Sequence, residues 1–174
     1  MKQPPTSEQL IAIAATLDEG AFTKKHPGLY IVLRGQGERL PESGVGTTVR
    51  MEPQRLSEKA PRETGKFQVI PVVRRGATPF SDVVSIGRTD ENDVVLPNTT
   101  VSKLHAYFSE LEPGAWTLTD KGSTNGTAVN GMRLKPEEPY RLGGSDAVSF
   151  GHCHVMVKSS AALWRFLDLH RRSA

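Results

Sequence analysis

From Lys66 to Lys158 the apolar residues fall in short runs rather than in helical stripes. KFQVIPVV, DVVSIGR, NDVVLP, HAYFSEL, AWTLTD, GTAVNG, MRL, YRL, DAVSF and CHVMVK follow one another, with Gly, Asn, Asp or Pro at most of the joins. β-Branched and aromatic residues suit a pleated, half-buried surface, and Gly, Asn and Asp supply the conformations that turns need. The pattern predicts an all-β fold, an antiparallel β-sandwich or barrel. A stretch of about ninety residues suffices for one such core. No long amphipathic helix separates the runs, which excludes a doubly wound α/β sheet.

The two ends read differently. Thr6 with Gln9 three positions on has the form of a capping box, and Leu10, Ile13, Ala14 and Leu17 follow at helical spacing until Gly20 stops the helix. The apolar run Leu29 to Leu33 predicts a strand. From Gly35 to Gly65, Gly, Pro, Glu and Arg dominate, which predicts loop or linker. Beyond Ser160, Leu163, Phe166, Leu167 and His170 share one helical face, with Trp164 beside it. A C-terminal helix on the sandwich is expected, its last turn carrying Arg171 and Arg172 where the helix dipole favours cations. The chain thus divides into an N-terminal extension (1–65), a β-sandwich domain (66–158) and a C-terminal helix (159–174).

Composition narrows the chemistry. The 174 residues are 37 % hydrophobic and 24 % charged, with a formal net charge of +3. A single cysteine, Cys153, excludes an intramolecular disulfide and a cysteine-built zinc site. His152 and His154 flank it on the opposite strand face, but no further ligand completes a metal set, so no metal and no cofactor are expected. No apolar run reaches the roughly 18 residues of a membrane span, and the N-terminus lacks a secretory signal. A cytoplasmic location without membrane association is therefore expected. Aromatics are only 6 % and no stripe of Lys and Arg interleaves with them. Nucleic acid is not predicted, whereas a small anionic ligand or an acidic peptide stays open.

Residues 120–131, DKGSTNGTAVNG, contain two Asn-Gly pairs, each of which predicts a tight turn. Four pieces occur in order: Gly87-Arg88, Ser102-Lys103-Leu104-His105, Thr124-Asn125-Gly126-Thr127 and Asn130-Gly131. Each alone is common. Together, and with the flanking stretches VSKLHA, GSTNGTAVNG and LGGSDAVSFG, they resemble the forkhead-associated (FHA) domain family across roughly residues 66 to 158. The resemblance implies an FHA/SMAD-like antiparallel sandwich of about eleven strands that binds phosphothreonine peptides without catalysis. It also implies that Asn125 holds the peptide backbone and that a small apolar niche favours phosphothreonine over phosphoserine.

The residues themselves suit that chemistry. A phosphothreonine dianion needs charge-assisted donors converging from several loops. Arg88 can fork onto two phosphate oxygens. Ser102 and Thr124 offer hydroxyls, Lys103 a compact cation, and Asn125 an amide that both donates and accepts. His105 is expected to hydrogen-bond backbone and brace the Ser102 loop rather than touch phosphate. Gly87, Gly126, Asn130 and Gly131 are expected to serve backbone geometry. Competing readings remain. Arg88 can pair with Asp90, Glu91 or Asp93 at the surface. The sandwich can be a phosphorylation-independent scaffold. Ser102 and His105 can be nucleophile and base of a hydrolase, although no third residue to orient the imidazole is evident. The expected partner is a phosphothreonine-containing protein: a Ser/Thr kinase, its substrate, or the chain's own N-terminal segment.

Overall fold

The computed structural model describes residues 6–34, 67–75 and 83–173. The expected linker from Gly35 to Gly65 lies outside them. Two short helices open the chain. In α1 (Ser7–Thr16) the Thr6 hydroxyl accepts from the Gln9 N–H at 3.3 Å while Gln9 Oε1 accepts from the Thr6 N–H at 2.9 Å. The helix stops at Thr16 rather than at Gly20. Asp18 starts a second helix, α2 (Glu19–Lys25), by accepting from the Ala21 N–H at 2.8 Å, and Gly20 sits inside its first turn. A strong N-cap so close behind outweighs the modest helix cost of one glycine.

Among the described residues eleven strands form two sheets. They are β1 (Leu29–Arg34), β2 (Phe67–Pro71), β3 (Val83–Gly87), β4 (Val94–Val95), β5 (Ala106–Glu112) and β6 (Ala115–Asp120), then β7 (Thr127–Val129), β8 (Met132–Arg133), β9 (Tyr140–Arg141), β10 (Ser145–Phe150) and β11 (Cys153–Ser159). The first sheet has the order β2-β1-β11-β10-β7-β8 and the second β4-β3-β5-β6-β9. All pairings are antiparallel except β3 with β4, where Ile86 faces Val94 and Gly87 faces Val95 in parallel. Pro71 ends an edge strand, the position in a sheet that tolerates a missing donor.

The strand Leu29–Arg34 lies inside the first sheet, between β2 and β11, so the sandwich draws on residues before the 35–65 stretch as well as after it. Its continuous apolar run has a physical cause. Leu29 and Ile31 enter the inter-sheet core with Ile86, Phe108, Leu118 and Phe150, while Tyr30 and Val32 face the opposite side. There α1, α2 and α3 (Ser160–Ser173) cover the outer face of the sheet, burying Leu10, Ala14, Phe22, Leu163 and Leu167. Trp164 Nε1 donates to the Leu17 carbonyl at 2.9 Å, and Arg165 forks onto the Glu19 carboxylate, tying the two ends of the chain together. The helices before β1 and after β11 thus pack on one face of one sheet and leave the loops at the sandwich rim uncovered by them.

Candidate functional site

Strand β3 ends at Gly87, and Arg88 leaves it onto the rim with an exposed side chain. The Arg88 N–H donates to the Ser102 carbonyl at 3.0 Å, which binds the end of β3 to the 102–105 loop. The approach is closer still at Gly87. A Cβ built there would sit 2.1 Å from the Lys103 carbonyl oxygen and 2.7 Å from Asn92 Nδ2, so only glycine fits. Asn92 is buried and donates through Nδ2 to the Lys103 carbonyl at 2.7 Å, holding the loop against β3. Among the described residues no carboxylate lies within ion-pair distance of Arg88. Asp93 instead accepts from the N–H groups of Arg75 and Ser85 and from the Ser85 hydroxyl.

The second loop is fixed by a histidine. The Ser102 N–H donates to His105 Nδ1 at 3.0 Å, and His105 Nε2 lies 3.2 Å from the Gly126 carbonyl oxygen. Because the first bond requires a lone pair on Nδ1, the ring is neutral with its proton on Nε2, donating to Gly126. Burial holds the imidazole pKa below its usual value, and this outweighs the opposing pull of the Gly126 carbonyl and the Asp120 carboxylate. His105 has no exposed surface and packs edge-on against Phe150. Both ring nitrogens are engaged with backbone, so neither serves Ser102 Oγ as a general base.

The third loop runs from Asp120 to Gly126. Asp120 is buried and accepts from the Ser123 N–H at 2.9 Å, the Ser123 hydroxyl at 2.7 Å and the Thr127 hydroxyl. Burial raises its pKa, but the Thr127 and Ser123 bonds outweigh that and hold the carboxyl below its usual value. The loop so anchored displays Thr124 and Asn125, both exposed. Thr124 N–H donates to Ser102 Oγ at 3.1 Å, and the two hydroxyls lie 3.5 Å apart. Asn125 Nδ2 donates to the Thr100 carbonyl at 2.7 Å. Thr100 is itself held by Asn98 Oδ1, which accepts from its N–H and its hydroxyl, and its Oγ1 accepts from the His152 N–H at 2.9 Å.

The two Asn-Gly pairs differ. Asn130 and Gly131 both adopt positive φ (51° and 81°) and close the β7–β8 hairpin as a two-residue type I′ turn. Asn130 also bridges to β10, donating to Asp146 Oδ1 and accepting from the Ala147 N–H. At the first pair only Gly126 has positive φ (79°), and no hairpin forms there. The expected tight turn is replaced by a loop hung between Asp120 and β7, because the Gly126 carbonyl is taken by His105 and the Gly151 N–H.

Arg88, Ser102, Lys103, Thr124 and Asn125 therefore converge on one rim, through backbone or side-chain bonds that link their three loops. Gly87, His105 and Gly126 lie beneath them, and Asn130 and Gly131 stand apart at the neighbouring hairpin. The supports that sequence reasoning passes over are Asn92, Asn98, Thr100 and Asp120. Asp120 with Ser123 three positions later, and Asn98 with Thr100 two positions later, have the spacing of local side-chain-to-backbone turns. Nothing local marks Asn92.

In comparison with known proteins, residues 84–151 match the family model described as FHA domain. The chain is 37% identical over 86 residues to the glycogen accumulation regulator GarA of Mycolicibacterium smegmatis, covering 46% of this chain and 52% of that protein. It is 43% identical over 51 residues to the E3 ubiquitin-protein ligase rnf8 of Danio rerio, covering 29% of this chain and 10% of that one. The chain thus spans about half of the first of these curated relatives and a tenth of the second. Among solved structures, the MEK1 FHA domain in complex with a phosphothreonine peptide of HOP1 is 26% identical, with a TM-score of 0.42 over 53% of this chain and 88% of that one.

Proposed function

We propose, from the premise that residues 84–151 belong to the FHA domain family, that the rim built by Arg88, Ser102, Thr124 and Asn125 binds phosphothreonine peptides. The observation that carries this reading is the pairing of the 102 and 124 loops. Two hydroxyls 3.5 Å apart stand on a rim that also carries the guanidinium of Arg88, with no carboxylate neutralising it among the described residues. A tetrahedral dianion offers acceptors to all three at once, and Lys103 adds a second exposed cation. Asn125 keeps its Oδ1 and one amide hydrogen for a peptide backbone while its other hydrogen stays on Thr100.

The protein on this reading recognises and does not catalyse, with a Ser/Thr kinase or a kinase substrate as partner. Its own threonines are unequal as ligands. Thr16 and Thr23 sit in α1 and α2 with their hydroxyls on the Ile13 and Glu19 carbonyls, so presenting either to the rim requires unwinding a helix. By composition, Thr47, Thr48 and Thr64 fall in the Gly-, Pro-, Glu- and Arg-rich stretch from Gly35 to Gly65 that reads as linker, which makes them the better candidates for self-recognition. Screening the full chain against an immobilised degenerate phosphothreonine peptide library tests the proposal. Retention on the phosphorylated library and not on its unphosphorylated twin is expected, and equal retention on both contradicts it.

A further inference from the structure

Arg133, on the edge strand β8, packs its guanidinium against Gly126. A Cβ built on Gly126 would fall 2.5 Å from Nη2 and 2.6 Å from Cζ of Arg133, so the missing side chain at Gly126 is what lets the cation lie there. The side chain is exposed. The two acids nearest in sequence are already taken: Glu137 pairs with Lys121 at 3.0 Å and Glu138 with Lys135 at 3.4 Å. Among the described residues no carboxylate pairs with Arg133. An exposed guanidinium with no counter-charge among the described residues therefore lies against Gly126, the residue that follows Asn125.

We infer that Arg133 is a specificity-determining residue that pairs with an aspartate or glutamate side chain of the bound peptide. This rests on the phosphothreonine reading above. The phosphate is supplied with donors by Arg88, Ser102 and Thr124, and Gly126 is two residues beyond Thr124. Two residues span at most roughly 7 Å, so a peptide side chain within three positions of the phosphothreonine reaches the guanidinium. A carboxylate is the complement for a planar fork of donors that presents its outer edge to solvent. Such a rim pair selects among peptides more than it adds affinity.

The test titrates the full chain with phosphothreonine peptides whose flanks are alanine, with a single aspartate moved through three positions on each side. One position is expected to tighten binding about three- to fivefold, the scale of an exposed ion pair. Arg133→Gln should abolish that gain while binding the all-alanine phosphopeptide as wild type does. Arg133→Glu should instead prefer lysine at the same position, and raising the salt should shrink both preferences. A flat aspartate scan in wild type, or a gain that survives Arg133→Gln, overturns the inference and leaves the phosphothreonine site intact. Failure of wild type to bind any of the phosphorylated peptides overturns both.

Discussion

The backbone N–H of Ser102 donates to Nδ1 of His105 at 3.0 Å, which places the ring proton on Nε2 and aims it at the Gly126 carbonyl 3.2 Å away. One buried neutral imidazole thereby joins the 102 loop to the 120–126 loop, and protonating it removes the acceptor that Ser102 needs.

That linkage gives stability a pH dependence with a definite sign. His105 is held below its ordinary pKa by burial, so the unfolded chain takes up a proton first as pH falls. The stabilisation is complete above an unfolded histidine pKa of about 6.5 and is lost progressively below it. His26, also held down by burial and by Lys25, acts in the same direction. Melting temperature without ligand should fall between about pH 7 and pH 5, and His105→Gln should flatten part of the slope, leaving the share due to His26. An identical slope in wild type and His105→Gln would show that the imidazole is not the coupled group.

Gly87→Ala should destabilise the domain by about 1–3 kcal/mol, the usual cost of forcing atoms into a packed site. Its Cβ would meet the Lys103 carbonyl at 2.1 Å and so push the 102–105 loop off β3. Phosphopeptide affinity should drop with stability. Denaturant melts alongside peptide titration measure both, and a variant with wild-type behaviour in each would refute the close approach.

Asp120→Ala should weaken peptide binding without touching the peptide. The carboxylate is buried and accepts three bonds from Ser123 and Thr127, and its loss leaves those donors without their acceptor. A cost of about 2–4 kcal/mol in stability is expected, with increased amide exchange confined to residues 121–127. Hydrogen exchange that stays at wild-type rates there would contradict the anchoring role.

Arg88→Ala should behave in the opposite way. The side chain is exposed and pairs with no acid among the described residues, so the fold should melt unchanged. Losing a forked, charge-assisted contact should cost binding about 3 kcal/mol, roughly a hundredfold. Ser102→Ala is predicted to be less clean, because Ser102 Oγ also accepts from the Thr124 N–H. Calorimetry on the two variants with one phosphopeptide distinguishes a contact from a contact that is also a brace.

The strands were legible because period-two alternation and turn residues are local signals, and so were the motif residues, which stand in order along the chain. What the sequence hides is contact across the fold. The run Leu29–Leu33 reads as a strand, but its place between β2 and β11 follows from the helices that cover its second face. Asn92 reaches Lys103 across eleven positions and Asn125 reaches Thr100 across twenty-five, neither at a periodic spacing. The guanidinium of Arg133 over Gly126 is likewise visible only once β7 and β8 pair. Asp18 misled in a simpler way: its capping side chain restarts a helix where Gly20 signals a stop.

The most direct measurement is a calorimetric titration of the full chain with one peptide in three forms, phosphothreonine, phosphoserine and unmodified threonine. The predicted result is no measurable binding of the unmodified form and a phosphothreonine preference over phosphoserine of about tenfold. That ratio needs somewhat more than the roughly 0.8 kcal/mol of one buried methyl, the rest coming from the void its loss leaves. Equal dissociation constants for the phosphorylated and unmodified threonine peptides would contradict the account.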